Sequence, residues 1–244
     1  MKTVSDSKRA FYAAYPRPIN SVYRRVIEEL LVEMHLLSVN ADFKPDPIYY
    51  LGIVTSFERL MEGYNPEDHK EQIFNALCTS TDGDPQNYKN QAATLLSLAK
   101  DKPTAELVEW LCNPTVEGDL GYIIEPIKAI SSNDNFKYSR LFGVGIYTLL
   151  EASDGDIVKD QDKRDGIADT LAESLGLPQD KMKKDLELYR GNLEKMGQLL
   201  KVLEDVMEAS RKQRAKREQE KKVSLTKEES KSAEEKEIEE ATAE

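Results

Sequence analysis

Residues 178–222 read PQDKMKKDLELYRGNLEKMGQLLKVLEDVMEASRKQRAKREQEKK, a stretch with no proline after its first residue. Eight residues in it recur alternately four and three positions apart and form what we call the heptad seam: Met182, Leu186, Tyr189, Leu193, Met196, Leu200, Leu203 and Met207. This spacing is typical of a helix that buries one narrow stripe of side chains. The stretch therefore predicts one long, coiled-coil-like helix, which would measure roughly 67 Å over its whole length.

The heptad seam has two possible partners. Four heptads are enough for a dimeric coiled coil, but Leu199, Val202 and Val206 widen the apolar face beyond a narrow seam. A wide face favours packing of the first half on the protein's own body, and self-association of the chain stays open. We expect a monomer or a weak dimer.

After Met207 the same helix becomes strongly basic. The basic end, as we call it, consists of Arg211, Lys212, Arg214, Lys216, Arg217, Lys221 and Lys222. Only Glu218 and Glu220 oppose these seven charges, which leaves plus 5 between positions 211 and 222. We expect the basic end to project from the body and to contact either anionic membrane headgroups or an acidic protein surface. Residues 223–244 carry minus 5, are predicted to be disordered, and could compete for the same basic side chains.

The rest of the chain predicts a body made only of helices. Asp46-Pro47, Asn65-Pro66 and Asp84-Pro85 each place a capping side chain before a proline, which is how many helices begin. A helix is expected around residues 22–34, and others near 47–62, 66–79, 86–100, 103–112, 118–131, 136–151 and 163–176. No stretch shows the alternation of a strand. The fold class is therefore all-α, with a body at 1–177, the long helix at 178–222 and the acidic tail at 223–244.

An aromatic and proline-rich segment precedes the first strong helix. It contains Phe11, Tyr12, Tyr15, Pro16 and Pro18, and we expect this aromatic-proline strap to pack across the helices. Contact of an exposed strap with a membrane interface is the alternative.

Composition excludes several classes of protein. The 244 residues carry a net charge of −11, so a nucleic-acid-binding domain is not expected. No apolar stretch approaches the roughly 20 residues that cross a bilayer, and the N-terminus lacks a secretory signal. Cys78 and Cys112 are isolated, which does not favour a disulfide. A soluble or peripheral protein is the expectation.

A search for chemical motifs yields no catalytic, metal-binding or cofactor-binding residues. His35 and His69 have no second ligand at a metal-site spacing, and the acidic stretch 160–166 does not fit a calcium loop. Gly143 and Gly145 lack the third glycine of a dinucleotide fingerprint, so close helix packing explains them better. Two alternatives stay open: a pigment or lipid pocket between helices near Gly143 and Gly145, and an enzyme whose site is dispersed along the chain.

Several long strings resemble the thylakoid formation protein family of cyanobacteria and chloroplasts, which is also described as a photosystem II biogenesis factor. They are TVSDSKRAF at 3–11, PRPINSVYRRV at 16–26, ELLVEMHL at 29–36, IFNALC at 73–78 and YSRLFGVGIY at 138–147. The resemblance covers most of residues 1–210. The basic end and the acidic tail are not diagnostic of the family.

The resemblance implies a non-catalytic, α-helical auxiliary protein with no cofactor. Family members support photosystem II assembly and repair and are associated with accumulation of the membrane protease FtsH. The implied partners are therefore the FtsH complex, photosystem II assembly intermediates and the thylakoid surface. Because the family-like string starts at Thr3, no room is left for a transit peptide, and we expect a cyanobacterial protein peripheral to the cytoplasmic side of the thylakoid membrane.

Overall fold

Two helices whose residues are apolar on every side form the centre of the fold. In the computed structural model, all residues from Pro47 to Phe57 of helix α3 (Pro47–Leu60) are buried. In helix α8 (Arg140–Ser153) the same holds from Leu141 to Leu150. A helix that is apolar all round is stable only inside a protein, so the sequence places these two elements at the core. The two pack on each other more extensively than any other pair of helices.

The structure describes residues 2–115, 120–133 and 135–241, and it describes no side chain at 203, 204, 207 or beyond 213. Ten helices lie in this part of the chain: α1 Val4–Ala14, α2 Ser21–Ser38, α3 Pro47–Leu60, α4 Asp68–Thr79, α5 Pro85–Lys100, α6 Thr104–Cys112, α7 Gly121–Ser131, α8 Arg140–Ser153, α9 Gln161–Leu175 and α10 Gln179–Ala241. No strand occurs in these ranges. The prediction of an all-α fold is confirmed.

Two of the three helix starts predicted from a capping residue and proline are confirmed, and the start at Asn65-Pro66 is wrong because α4 begins at Asp68 without a side-chain cap. The side chains of Asp46 and Asp84 accept hydrogen bonds from the first backbone amides of α3 and α5, each with proline at the first helical position. Helix α8 begins at Arg140 and not near 136, because Ser139 caps it by accepting from the amide of Phe142. The predicted start of α7 at 118 lies outside the described residues.

The N-terminal segment differs from its prediction. Phe11 and Tyr12, assigned from the sequence to the aromatic-proline strap, lie in helix α1. Thr3 caps this helix and Asp6 completes a reciprocal capping box, with a distance of 3.0 Å from the Thr3 amide to the Asp6 carboxylate. Helix α1 was therefore not predicted, because the aromatic and proline residues received more weight than the capping box. The burial of Phe11 and Tyr15 agrees with the expected packing across the helices.

The chain forms two units, Met1–Leu193 and Glu194–Glu244. The first 15 residues of α10 thus belong to the compact unit 1, although the sequence places the end of the body at residue 177. Unit 2 consists of the remainder of α10, which is helical to Ala241. Disorder was expected from residue 223, but residues 223–241 contain no glycine or proline and are rich in Glu and Lys, which favour helix.

Candidate functional site

The first part of the heptad seam is buried within unit 1. The side chains of Met182 and Leu186 are completely buried, and Tyr189 is 4% exposed. The ring of Tyr189 packs edge-to-face on that of Tyr147 in α8, with 5.3 Å between the ring centroids. Burial raises the pKa of the Tyr189 hydroxyl well above its ordinary value. This part of the seam is therefore occupied by the protein's own core.

Ion pairs attach the start of α10 to α9. The buried guanidinium of Arg164 donates to the Glu187 carboxylate at 2.7 Å and to the carbonyl of Val158 at 3.0 Å. Lys183 pairs with Asp169 at 2.5 Å. A charge as deeply buried as Arg164 needs acceptors and opposite charges close to it, and Asp165 adds a second carboxylate 3.7 Å from Nε. These contacts fix the direction in which α10 leaves α9.

The seam becomes less buried along its length. Leu193 and Leu200 are half-buried and Met196 is 9% exposed. The side chains of Leu203 and Met207 lie outside the described residues. Val202 and Val206, which widen the apolar face, are each 57% exposed.

Only part of the basic end can be placed. Arg211 and Lys212 are exposed, and Lys212 pairs with Glu208 one turn earlier at 2.7 Å. The backbone is helical through the whole basic end. The side chains that lie outside the described residues are those of Arg214, Lys216, Arg217, Lys221 and Lys222.

The two histidines form structural hydrogen bonds. His35 is buried, with its Nδ1 atom 2.9 Å from the hydroxyl of Ser7. His69 lies between the hydroxyl of Tyr15, 2.9 Å from Nδ1, and the guanidinium of Arg17. Within residues 2–115, 120–133 and 135–241, no group of three metal-ligating side chains converges. None of the helices in this part of the chain is long and apolar enough to cross a membrane.

The space proposed for a pigment or lipid near Gly145 is filled. A Cβ atom on Gly145 would lie 2.1 Å from the carbonyl oxygen of Ile48, and one on Gly52 would lie 1.7 Å from that of Leu141. Gly143 faces the hydroxyl of Tyr138, 2.6 Å from the position of an added Cβ. Gly52 and Gly145 therefore serve the contact between α3 and α8.

Sequence reasoning missed an open groove on unit 1, which we call the α2 groove. It encloses about 1070 Å³ and is lined by the outer face of α2, by residues 137–140 and by Lys8, Lys181 and Asp185. Its apolar surface comes from Val32, Leu36 and Leu37 of α2. The ring of Tyr138 forms another part of the wall, and the Lys181 ammonium lies 5.2 Å from the ring centre.

A sequence signal for the α2 groove exists. Val22, Arg25, Glu29, Val32 and Leu36 alternate three and four positions apart, which is the spacing of a second heptad stripe. The inner face of α2 is occupied by residues such as Ile27, Leu31 and Met34, which are buried in the core. The outer stripe includes the charged residues Arg25 and Glu29, so it is harder to recognise in the sequence than the apolar inner face.

The chain matches the family model described as thylakoid formation protein over residues 3–218. This chain belongs to the thylakoid formation protein family. Relatives named Protein Thf1 include one from Crocosphaera subtropica, 54% identical with 93% of each chain covered. Another, from Picosynechococcus sp., is 52% identical with 88% of this chain and 84% of the relative covered.

A solved structure entitled "Structure of Psb29 at 1.55A" has the same fold. The two chains superpose with a TM-score of 0.76 and are 41% identical, and the match covers 88% of this chain and all of the other. The resemblance seen in the sequence is thus confirmed. The family is named for thylakoid formation, and its name describes no enzyme activity.

Proposed function

We propose that this protein is a non-catalytic auxiliary protein of thylakoid biogenesis and of photosystem II assembly and repair, which binds and stabilises the FtsH membrane protease complex. It acts peripherally, at the cytoplasmic side of the cyanobacterial thylakoid membrane. Membership of the thylakoid formation protein family supports the biological setting. The observation that carries the molecular role is the 63-residue helix α10, whose first turns are held in unit 1 while the basic residues at 211 and 212 are exposed.

The helix suits a binding role for two physical reasons. The seam residues Met182, Leu186 and Tyr189 are completely or almost completely buried, so the start of α10 is held firmly and its direction is set. The basic end carries plus 5 on a chain whose net charge is −11, so it offers a local attraction to an acidic surface. Such an attraction contributes on the order of 1 kcal/mol per charge beside anionic headgroups and weakens with salt.

Binding alone is enough to stabilise a partner complex. A ligand that binds only the assembled state stabilises it by RT ln(1 + [L]/Kd), about 2.7 kcal/mol when the ligand is present at a hundredfold over Kd. No chemical step is needed.

The experiment that tests this function is a pull-down from solubilised thylakoids with the tagged full chain across a salt series. One variant replaces Arg211, Lys212, Arg214, Lys216 and Arg217 with glutamine. A matched variant neutralises three lysines of the tail, Lys227, Lys231 and Lys236. Recovery of FtsH that is lost in the first variant and kept in the second is the expected result. Equal recovery of FtsH by both variants would contradict a role for the basic end.

A further inference from the structure

The α2 groove is a surface that the proposed function does not use. It is built from residues of unit 1 and none of the basic end, so an inference about it does not rest on that function.

Large apolar side chains are exposed along this face of α2. Leu36 is 56% exposed and Val22 is 41% exposed, and Val32 between them is half-buried. These three residues, together with Arg25 and Glu29, recur alternately three and four positions apart. All five therefore lie on one side of the helix. A helix lying along this face would meet apolar residues at the intervals at which its own side chains recur.

The rim of the groove is more basic than the protein as a whole. Six basic and four acidic residues line it, on a chain whose net charge is −11. Three of the acidic residues already have basic partners: Glu28 pairs with Lys8 at 2.9 Å, Glu29 with Arg25 at 3.0 Å, and Glu33 with Arg140 at 2.6 Å. The remaining lining charges are Arg24, Lys137 and Lys181 against Asp185, which leaves an excess of positive charge.

The mixture of charges decides between two kinds of occupant. A bilayer of anionic lipids presents one sign of charge over a plane, and a plane does not follow a concave groove whose rim carries carboxylates as well as basic groups. A peptide can place a carboxylate opposite Lys137 or Lys181 and avoid Glu29 and Asp185. An apolar stripe beside an excess of positive charge therefore fits a helix that is apolar on one face and acidic on its flanks.

From this geometry we infer that the α2 groove binds an acidic amphipathic helix of a partner protein, with Leu36 and Val32 as the apolar contacts and Lys137 and Lys181 as the charges that select it. The occupant lies along α2 and buries the stripe from Val22 to Leu36. The groove extends beside this stripe from Arg25 to Leu36.

The test measures binding of a labelled model peptide to the full-length chain by fluorescence anisotropy. The probe has about 18 residues, the length of α2. Its leucines recur alternately three and four positions apart, so that they form one face of a helix, and its glutamates lie on either side of that face. A scrambled peptide of the same composition measures attraction by charge alone, including attraction to the basic end. A third peptide carries lysine in place of each glutamate.

Two variants of the protein probe the groove. Leu36→Glu places a charge in the apolar stripe, and we expect it to raise the Kd for the patterned peptide at least tenfold. The double variant Lys137→Glu with Lys181→Glu is expected to raise that Kd about three- to tenfold and to improve binding of the lysine peptide. Leu188→Glu and Lys100→Glu are the controls, because they change exposed residues of the same types outside the groove. They should leave the Kd for the patterned peptide and the Kd for the lysine peptide unchanged. All of these positions are exposed, so the variants should fold, and thermal unfolding checks this.

Four results would overturn the inference. The scrambled peptide could bind as tightly as the patterned one, or Leu36→Glu could leave the Kd unchanged. Vesicles of anionic lipid could bind in a manner that depends on Leu36, which would make the groove a membrane-contacting face. Sedimentation could show a dimer that Leu36→Glu dissociates, in which case a second copy of the chain covers the groove.

Discussion

Glycine at positions 52 and 145 sets how closely helices α3 and α8 approach. Each glycine lies against a backbone carbonyl of the other helix, at a distance where no Cβ fits. A backbone atom cannot move aside as a flexible side chain can, so the helices themselves would have to separate. The two residues therefore control the packing of the most buried pair of elements in the protein.

The substitution Gly52→Ala should destabilise the protein by at least about 2 kcal/mol, because an inserted methyl group must push α3 away from α8. Gly191→Ala is the matched control, since nothing lies within 4 Å of a Cβ added there. In the control, alanine should stabilise the helix by about 0.5–1 kcal/mol. Urea unfolding of both variants measures the free energy difference. If the Gly52→Ala and Gly191→Ala variants had equal free energies of unfolding, α3 and α8 would not be packed as closely as described.

Asp46 gives a prediction about pH. Its carboxyl is 4% exposed and caps α3 by accepting from the amides of Ile48 and Tyr49, at 2.9 and 3.0 Å. Burial raises the pKa of Asp46 to about 7. The folded protein therefore holds this proton more tightly than the unfolded chain, in which the pKa is near 4. Its contribution to stability is complete below about pH 4 and is lost as the pH rises through 7.

Asp46→Asn keeps an oxygen that can cap the helix and removes this titration. We expect the variant to gain stability relative to the natural chain as the pH rises from 4 to 8, by up to about 4 kcal/mol. Chemical denaturation at several pH values measures the difference. A difference that stays constant with pH would mean that the Asp46 carboxyl titrates equally in the folded and unfolded states.

At the scale of the element, helix α10 is attached through few but specific contacts. Arg164 of α9 is 1% exposed, whereas its partner Glu187 on α10 is half-exposed. Hydrogen bonding from Arg190, with a contribution from the charge of Arg164, lowers the pKa of the Glu187 carboxyl. The carboxylate is therefore ionised near neutral pH and balances the buried guanidinium.

Glu187→Gln should destabilise the attachment of α10 by about 1–3 kcal/mol, because it removes the carboxylate that accepts a hydrogen bond from the buried guanidinium of Arg164 and leaves only Asp165, at 3.7 Å. Glu173→Gln, an exposed site on α9, is the control and should change stability by less than about 0.5 kcal/mol. Hydrogen exchange over residues 179–193 is the direct measurement. Exchange in the Glu187 variant that is no faster than in the control would contradict the role of this ion pair.

Much of the helical arrangement is predictable from local signals. The capping residues Asp46 and Asp84, each followed by proline, place the starts of α3 and α5 to within a residue. The start of α8 was misplaced because Ser139 is a weaker signal than a capping residue followed by proline. The missed helix α1 carries its signal in Thr3 and Asp6, and the aromatic residues that follow obscured it.

The candidate surfaces are harder to predict than the helices. The heptad seam has one spacing from Met182 to Met207, yet Leu186 is fully buried while Leu200 is half-buried. Which part becomes buried depends on where α8 and α9 lie, and periodicity contains no such information. The α2 groove likewise exists only because Tyr138 and Lys181, distant in sequence, lie beside α2.

For the molecule as a whole, the proposed action is through binding and needs no catalytic step. The assignment to the thylakoid formation protein family rests on similarity along residues 3–218. Binding to FtsH and location at the membrane surface are proposals that follow from that assignment and from α10. The oligomeric state stays a prediction of a monomer or a weak dimer, which sedimentation at several concentrations would test.

The most direct test of the central claim is the thermal stability of purified FtsH complex in the presence of increasing amounts of the full-length chain. The midpoint of dissociation should rise with the concentration of the chain once the Kd is exceeded, and it should keep rising with the logarithm of that concentration. The glutamine variant of the basic end should produce a much smaller rise. A midpoint that does not change at concentrations where the chain is bound would contradict the claim that this protein stabilises the protease complex.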